Sequence, residues 1–200
     1  MQLDDFERFE VRRSLEDWGI FRDAGEWEAL EQLFHPDGVI RVAWFDGHFR
    51  QFLERSKASA GKGFSKHIVC NSSVSLRESR ACAETNVILI GRSEVKGVAY
   101  NGETHMRFLD CLQRSEAGRW QIVDRSTVYD HDVMSPGPPD DGWGREKAEI
   151  EKWPIEYRYL ALRLSARGIT VLDRLPTKGS EAEKQIRLRC VEWLLQERLS

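Results

Sequence analysis

A change in the spacing of apolar residues near residue 65 constrains the fold of this chain more than any other feature of its sequence. Upstream, apolar residues recur at intervals of three and four, which is typical of helices that bury one face. Downstream, they alternate with a period of two, which indicates strands. The predicted helices cover residues 3–22, 26–34 and 48–59, and the predicted strands 39–44, 66–75, 80–92, 98–114 and 119–129.

The predicted strands after residue 80 are unusually long and are joined by short links at residues 93–97 and 115–118. Short links favour an antiparallel meander. Strands of more than about twelve residues need a strong bend, and a bent sheet closed by helices encloses a cavity. We therefore predict an α+β fold: a cone-shaped α+β barrel of a strongly curved, mostly antiparallel sheet covered by three N-terminal helices, with a C-terminal helical extension.

The segment Ser135-Pro136-Gly137-Pro138-Pro139 opens the clearest linker, because so many prolines and glycines interrupt both helices and strands. We predict a domain at residues 1–134, a Pro/Gly-rich linker at 135–145 and a helical extension at 146–200. Within the extension, Pro154 fits a first helical position and Ser180 to Glu183 fits a capping box. The extension is too short for a large core of its own, so we expect it to pack on the domain or on a partner subunit.

Composition excludes several classes of protein. There are 30 Lys and Arg against 33 Asp and Glu, with no block of like charge, so no nucleic-acid partner is expected. The mean hydropathy is -0.54 and the longest strongly apolar run is residues 87–90, so no membrane span is expected. The acidic start lacks a signal-peptide pattern, which makes the cytoplasm the default expectation. The four cysteines show no C-x-x-C spacing and are expected to be free thiols.

His67 and Asp23 are the candidate catalytic residues. His67 lies on a predicted strand, and an imidazole titrates near neutral pH, so it is a candidate general base. Asp23 closes the first predicted helix, and its carboxylate would orient the imidazole and stabilise its charged form. Each has a structural alternative: His67 as a core histidine with a satisfied hydrogen bond, and Asp23 as part of the helix-ending turn Asp23-Ala24-Gly25.

Further polar residues lie on the long strands. Asp110 shares a strand face with Met106 and Phe108, so an inward carboxylate could be a second acid or base. His105 and Arg107 fall on the opposite face. On the last strand, the pairs Arg125 with Tyr129 and Ser126 with Val128 lie on opposite faces; which face points inward stays open, because a bulge would reverse it.

No metal and no cofactor are expected. Asp130, His131 and Asp132 resemble a ligand cluster, but no other metal-binding motif accompanies them, and a solvated polar loop is the preferred interpretation. The glycines form neither a dinucleotide-binding nor a P-loop motif.

The run Phe21-Arg22-Asp23-Ala24-Gly25-Glu26-Trp27, continued by Leu33-Phe34-His35-Pro36-Asp37-Gly38, resembles the opening of SnoaL-like proteins of the nuclear transport factor 2-like superfamily. The resemblance covers about residues 5–134. It implies a curved-sheet cone with three helices. In the scytalone dehydratase and dehydrochlorinase branch, an aspartate–histidine pair removes a proton, and Asp23 and His67 match that pair by motif and order.

The sequence departs from scytalone dehydratase elsewhere. Arg22 and Trp44 stand where that enzyme has tyrosines, Gly91 falls near its second histidine, and Met106 and Phe108 fall near a serine and an asparagine. The resemblance therefore implies a more apolar pocket, suited to a hydrophobic or aromatic ligand. The expected substrate-binding residues are Trp44, Arg22, Val69, Met106, Phe108, Asp110 and Val128.

Two hypotheses follow. The first is a cofactor-free lyase or isomerase that abstracts a proton from a small hydrophobic cyclic substrate with the His–Asp dyad. The second is a non-catalytic binding or dimerisation module of the same fold. A homodimer or higher homo-oligomer is expected, and under the second hypothesis Trp120, His105 and Arg107 are the candidate contact residues. Aromatic residues of the extension would reinforce the dimer or cap the cone; they are Trp153, Tyr157, Tyr159 and Trp193.

Overall fold

A computed structural model describes residues 3–61, 63–95, 98–135 and 150–196. Most of the predicted linker, residues 136–145, lies outside the described residues, as does the start of the extension at 146–149. Within the described part of the chain, no helix is both long and apolar enough to cross a membrane.

One curved sheet of six strands organises the described residues. The strands are β1 Phe34–Val42, β2 Phe45–His48, β3 Phe64–Arg77, β4 Arg80–Val95, β5 Val98–Arg114 and β6 Trp120–Ser135. Their order is β2-β1-β6-β5-β4-β3, and β1 and β6 are parallel while the other neighbours are antiparallel. Since β2 and β3 form opposite edges, the sheet is curved but not closed. The α+β fold and the antiparallel meander of β4, β5 and β6 are confirmed.

Three N-terminal helices lie where the apolar spacing predicts them: α1 Leu3–Ala24, α2 Trp27–Gln32 and α3 Phe49–Ser59. Val11, Leu15 and Trp18 form the buried stripe of α1 and pack into the concave side of the sheet. After α1 the chain reverses at Gly25, whose φ of +74° is a left-handed conformation that glycine adopts without strain.

The strand predictions needed three corrections. β1 starts at Phe34 rather than residue 39, with an irregularity in its pairing with β6 between Phe34 and Val39. β2 is too short, and too rich in turn-forming residues, for its sequence to predict a strand. β6 continues to Ser135, well beyond Tyr129, because its residues 131–135 pair with residues 101–105 of β5.

Two helices of the extension pack on opposite sides of the sheet: α4 Arg158–Ala166 and α5 Glu181–Leu195. Leu160, Ala161 and Leu164 of α4 join the concave core. Ile186 of α5 packs with Leu109 on the outer face. The extension therefore covers its own domain.

The N-termini of α4 and α5 can be compared with the predicted helix-start signals, which are Pro154 and the capping box at residues 180–183. Ser180 caps α5, as predicted, by accepting a hydrogen bond from the Glu183 N–H at 3.2 Å. The Glu183 carboxylate binds the N–H of Gly179 at 2.7 Å. Pro154 does not start α4, which begins at Arg158.

The docking of α4 uses a gap in the side-chain layer of the sheet. Gly91 of β4 and Gly102 of β5 are paired in register, and the buried Arg163 lies over both. A Cβ on Gly102 would lie 2.6 Å from the Arg163 Cζ. Arg163 also donates a hydrogen bond to the Thr104 hydroxyl at 3.0 Å. Gly91, which falls near the position of the second histidine of scytalone dehydratase, thus leaves space for Arg163 of the extension.

Candidate active site

Two connected cavities lie between the concave face of the sheet, α1 and α4. The inner one, called the chamber, has a volume of about 70 Å³ and is lined by apolar residues that include Trp18, Phe52, Met106, Phe108, Tyr129 and Leu160. The outer one, called the vestibule, has a volume of about 540 Å³ and includes Asp23, Lys66 and Arg167. The residues that line both are Arg22, Trp44, His67, Leu89 and Leu164.

Asp23 and His67 meet at the boundary of the chamber and the vestibule. The Asp23 Oδ1 lies 2.7 Å from the His67 Nδ1, and the Asp23 Oδ2 accepts a hydrogen bond from the His67 backbone N–H at 2.6 Å. Their side chains are 17% and 11% exposed. Because the carboxylate binds the ring and the backbone at once, it fixes both the ring and the strand that carries it. We call this pair the dyad.

The dyad bond determines what the imidazole can do. A carboxylate accepts hydrogen bonds, so the neutral ring carries its proton on Nδ1, the nitrogen that faces Asp23. Nε2 is then the basic nitrogen. Trp18 packs edge-on against the ring, with the ring centroids 5.1 Å apart. The arrangement is a base with its orienting carboxylate beside an apolar cavity.

Four of the predicted substrate-binding residues line the chamber: Trp44, Arg22, Met106 and Phe108. Trp44 stacks on Phe52 with a centroid separation of 5.4 Å. Trp44, Met106 and Phe108 give the chamber the apolar surface that the sequence predicts.

Three other predicted substrate-binding residues do not line either cavity. Val69 lies beneath α1, since its side chain would meet a Cβ placed on Gly19. Val128 is fully buried on the outer face and packs with Leu109 and Ile186. Its neighbour Tyr129 faces the chamber instead, because successive strand residues point to opposite faces and Tyr129 pairs with Met106 of the chamber. The inward face of β6 is therefore that of Arg125 and Tyr129.

Asp110, the third of these residues, forms a fully buried ion pair beneath the chamber. Its carboxylate accepts hydrogen bonds from the Arg125 Nε at 2.6 Å and Nη2 at 3.0 Å. The Arg125 guanidinium lies 4.6 Å from the Trp18 ring centroid and 4.3 Å from that of Phe108. Burial raises the pKa of Asp110, and Arg125 opposes that shift. Because its oxygens are occupied by Arg125, Asp110 supports the chamber floor.

The opening of the vestibule is positively charged. Arg22, Lys66 and Arg167 line it, beside the carboxylate of Asp23. Burial lowers the pKa of Arg22, Asp23 opposes the shift, and Arg167 adds to it. The Arg22 guanidinium also lies 5.6 Å from the Trp27 ring centroid. A polar or anionic end of a ligand would be favoured here.

Sequence reasoning missed several lining residues. Trp18 belongs to the apolar stripe of α1, so its sequence pattern indicates a core residue. The available signal for a place in the site is its position one helical turn before Arg22, on the same side of α1. Its buried Nε1 has no hydrogen-bond partner among the described residues. Leu160 and Leu164 come from α4 of the extension. No local sequence pattern predicts that this helix packs against the concave face of the sheet.

The described cavity lining offers little for a metal ion. Asp23 and His67 are its carboxylate and imidazole, fewer than the three protein ligands of a catalytic zinc site, and they bind each other. The cluster at residues 130–132 is not a solvated loop: Asp130 accepts hydrogen bonds from Arg107, and the buried Asp132 accepts one from the Leu160 N–H at 2.6 Å.

The predicted interface residues also have partners within the chain. The Trp120 side chain is buried and donates a hydrogen bond to Glu7 at 2.7 Å. Arg107 binds Glu84, Asp130 and Glu183 of α5. His105 stays 41% exposed on the outer face. In the extension, Tyr157 is buried in the core and Trp193 donates a hydrogen bond to the Leu112 carbonyl at 3.1 Å.

Comparisons with known proteins identify the family of the chain. A SnoaL-like domain model matches residues 7–126, more than half of the chain. A PEP2-like protein of Fusarium vanettenii is 31% identical over 177 residues, which cover 85% of this chain and 75% of that protein. Pea pathogenicity protein 2 of the same organism is 30% identical over 176 residues, with the same coverage.

A solved structure shares the fold at low identity. It is that of a proposed scytalone dehydratase from Novosphingobium aromaticivorans, which superposes with a TM-score of 0.57 at 19% identity and covers 65% of this chain and 88% of that chain. At this identity the likeness concerns the fold alone. The family model matches more than half of the chain, so this chain belongs to the SnoaL-like domain family.

Proposed function

We propose that this chain is a cofactor-free lyase or isomerase that removes a proton from a small, hydrophobic, cyclic substrate. The observation that carries the proposal is the 2.7 Å bond between the Asp23 Oδ1 and the His67 Nδ1, at the boundary of an apolar chamber. A base oriented by a carboxylate and shielded from water is the arrangement that proton abstraction requires.

The proposed first step is the transfer of a proton to the His67 Nε2 from a carbon next to a carbonyl group. Asp23 stabilises the imidazolium through Nδ1, and the electron pair moves onto the carbonyl oxygen. Arg22 lines both cavities and is a cation that can stabilise this oxygen. The His67 Nε2 then gives the proton to a hydroxyl group of the substrate, which leaves as water, or to a different carbon of the substrate. The first outcome is an elimination and the second an isomerisation.

The cavity sizes indicate how the substrate would lie. An apolar cavity of about 150 Å³ holds a benzene ring, whereas the chamber has a volume of only about 70 Å³. A ring would therefore extend past His67 into the vestibule, or enter the chamber as α4 shifts. Its polar end would face Arg22, Lys66 and Arg167. A hydrophobic ring with a carbonyl or anionic group fits both requirements.

A turnover screen with cyclic hydroxy-carbonyl compounds tests the proposal. Substitution His67→Ala is expected to lower kcat by about 10²–10⁴, the usual contribution of a general base. Asp23→Asn keeps the shape but is expected to reduce kcat as well, because an amide N–H facing Nδ1 leaves the proton on Nε2. His105→Ala on the outer face is the matched control and should retain wild-type turnover.

The alternative is a non-catalytic binding module of the same fold. It predicts that compounds bind the wild-type chain and that none of them is turned over. Full turnover by His67→Ala would equally exclude the dyad mechanism.

A further inference from the structure

Three cysteines converge between the outer face of the sheet and α5, far from the dyad in the fold. Cys82 of β4 and Cys111 of β5 are paired in register, and Cys190 of α5 lies over them. All three sulfur atoms lie within 4.8 Å of one another, and the Cys111 and Cys190 sulfurs are 3.8 Å apart. The remaining cysteine, Cys70, lies on β3 and is not part of this cluster. We call Cys82, Cys111 and Cys190 the thiol cluster.

The spacing of the thiol cluster fits one metal ion. Metal–thiolate bonds are about 2.3 Å long, so three sulfurs around an ion in one plane are about 4 Å apart. The thiol cluster needs to contract by less than about 1 Å to reach this geometry. All four cysteines are free thiols, so the three sulfurs are available as ligands.

Positive charge lies beside the thiol cluster. Arg187 and Arg189 are on α5, the same helix as Cys190. Cysteine ligands bind a metal ion as thiolates, so three of them around one monovalent cation leave an excess of negative charge. The two arginines can compensate that charge.

We propose that Cys82, Cys111 and Cys190 bind one soft, thiophilic metal ion that links α5 to the outer face of the sheet. Three converging thiolates with no fourth His, Asp or Glu ligand among the described residues favour a three-coordinate ion. Soft thiolate ligands select Cu(I) and Zn(II), and Zn(II) in structural sites is almost always four-coordinate. Cu(I) is therefore the ion that this ligand set fits. Cys190 is half-buried, so the cluster is accessible from the edge of α5.

An anaerobic titration of the full-length protein with Cu(I), in competition with a chromophoric Cu(I) chelator, tests this site. We expect one Cu(I) per chain for the wild type and for the control Cys70→Ser. We expect no retained Cu(I) for Cys190→Ser. This substitution lies on α5, at the outside of the fold, so the rest of the chain should still fold. Equal retention by the wild type and Cys190→Ser, or loss of Cu(I) with Cys70→Ser, would overturn the proposal.

A second measurement needs no variant and so does not depend on the folding of a mutant. Cu(I) should protect Cys82, Cys111 and Cys190 from alkylation, as quantified by mass spectrometry, while Cys70 reacts at an unchanged rate. Equal alkylation of the cluster with and without Cu(I) would contradict a site there.

Discussion

Asp132 is a buried carboxylate that joins β6 to α4. It accepts hydrogen bonds from the Leu160 N–H at 2.6 Å and from the Thr104 hydroxyl at 3.1 Å. The first of these caps the start of α4 in place of its own N-cap residue, which makes no side-chain cap. Burial raises the pKa of Asp132 to about 6, although the Leu160 N–H and Arg163 act in the opposite direction. The cap therefore depends on pH.

Asp132→Asn is expected to remove a pH dependence of stability between pH 4 and 7. The pKa of Asp132 is raised on folding, so the folded state favours the protonated form. Its contribution to stability is fully present below about pH 4 and is lost as the pH rises through 6, by about 3 kcal/mol. Urea unfolding of both proteins at several pH values measures this. Parallel pH profiles for the wild type and Asp132→Asn would show that Asp132 does not titrate in this range.

Single residues show where sequence reasoning succeeds and where it fails. The motif pairs Asp23 with His67, and the structure places them in hydrogen-bond contact. The alternation of β6 separates the face of Arg125 and Tyr129 from that of Val128, but alternation within one strand does not show which face points inward. Pairing with β5 decides this, because Tyr129 lies opposite Met106 of the chamber and Val128 packs on the outer face.

Among the elements, α4 has the most consequence for the site, since it supplies Leu160 and Leu164 to the chamber. Arg163 positions it over Gly91 and Gly102. The alternation of β4, β5 and β6 is strong enough to predict their meander. The contacts of α4 join residues about sixty positions apart in sequence, as Arg163 with Thr104 does, and no local pattern predicts them.

Gly102→Ala is expected to loosen α4. The new Cβ would lie 2.6 Å from the Arg163 Cζ, so the guanidinium must move from its buried site. Overpacking of this kind costs about 1–3 kcal/mol. Amide hydrogen exchange across α4 should rise, and the free energy of unfolding should fall.

A double-mutant cycle shows whether Arg163 is the cause. In an Arg163→Ala background, Gly102→Ala should cost much less, because the clashing side chain is gone. Strictly additive effects of Gly102→Ala and Arg163→Ala would contradict this account of how α4 docks.

At the scale of the whole molecule, the outer face of the sheet has a covered part and an exposed part. One part is covered by α5 of the same chain, with Arg107 bound to Glu183. Another part carries exposed apolar residues, among them Ile68 and Val133, together with the exposed His105. We propose that this second part is where two copies of the chain associate.

Sedimentation measures the expected association. The wild type should sediment at twice the chain mass of 23.2 kDa. Ile68→Lys should shift it toward the monomer, because burying an unpaired charge at an interface is costly. Ile155→Lys, at an exposed apolar residue of the extension, is the control and should remain a dimer. A wild type that stays monomeric at every concentration would contradict the proposal.

In the proposed function, His67, held by Asp23, removes a proton from carbon. The most direct measurement is the uptake of deuterium from D₂O by a panel of cyclic ketones and hydroxy-ketones, followed by mass spectrometry. It detects the first step whether the full reaction is an elimination or an isomerisation. Uptake into at least one compound is expected with the wild type and with His105→Gln, and loss of that uptake is expected with His67→Gln. Undiminished uptake with His67→Gln would contradict this role of His67.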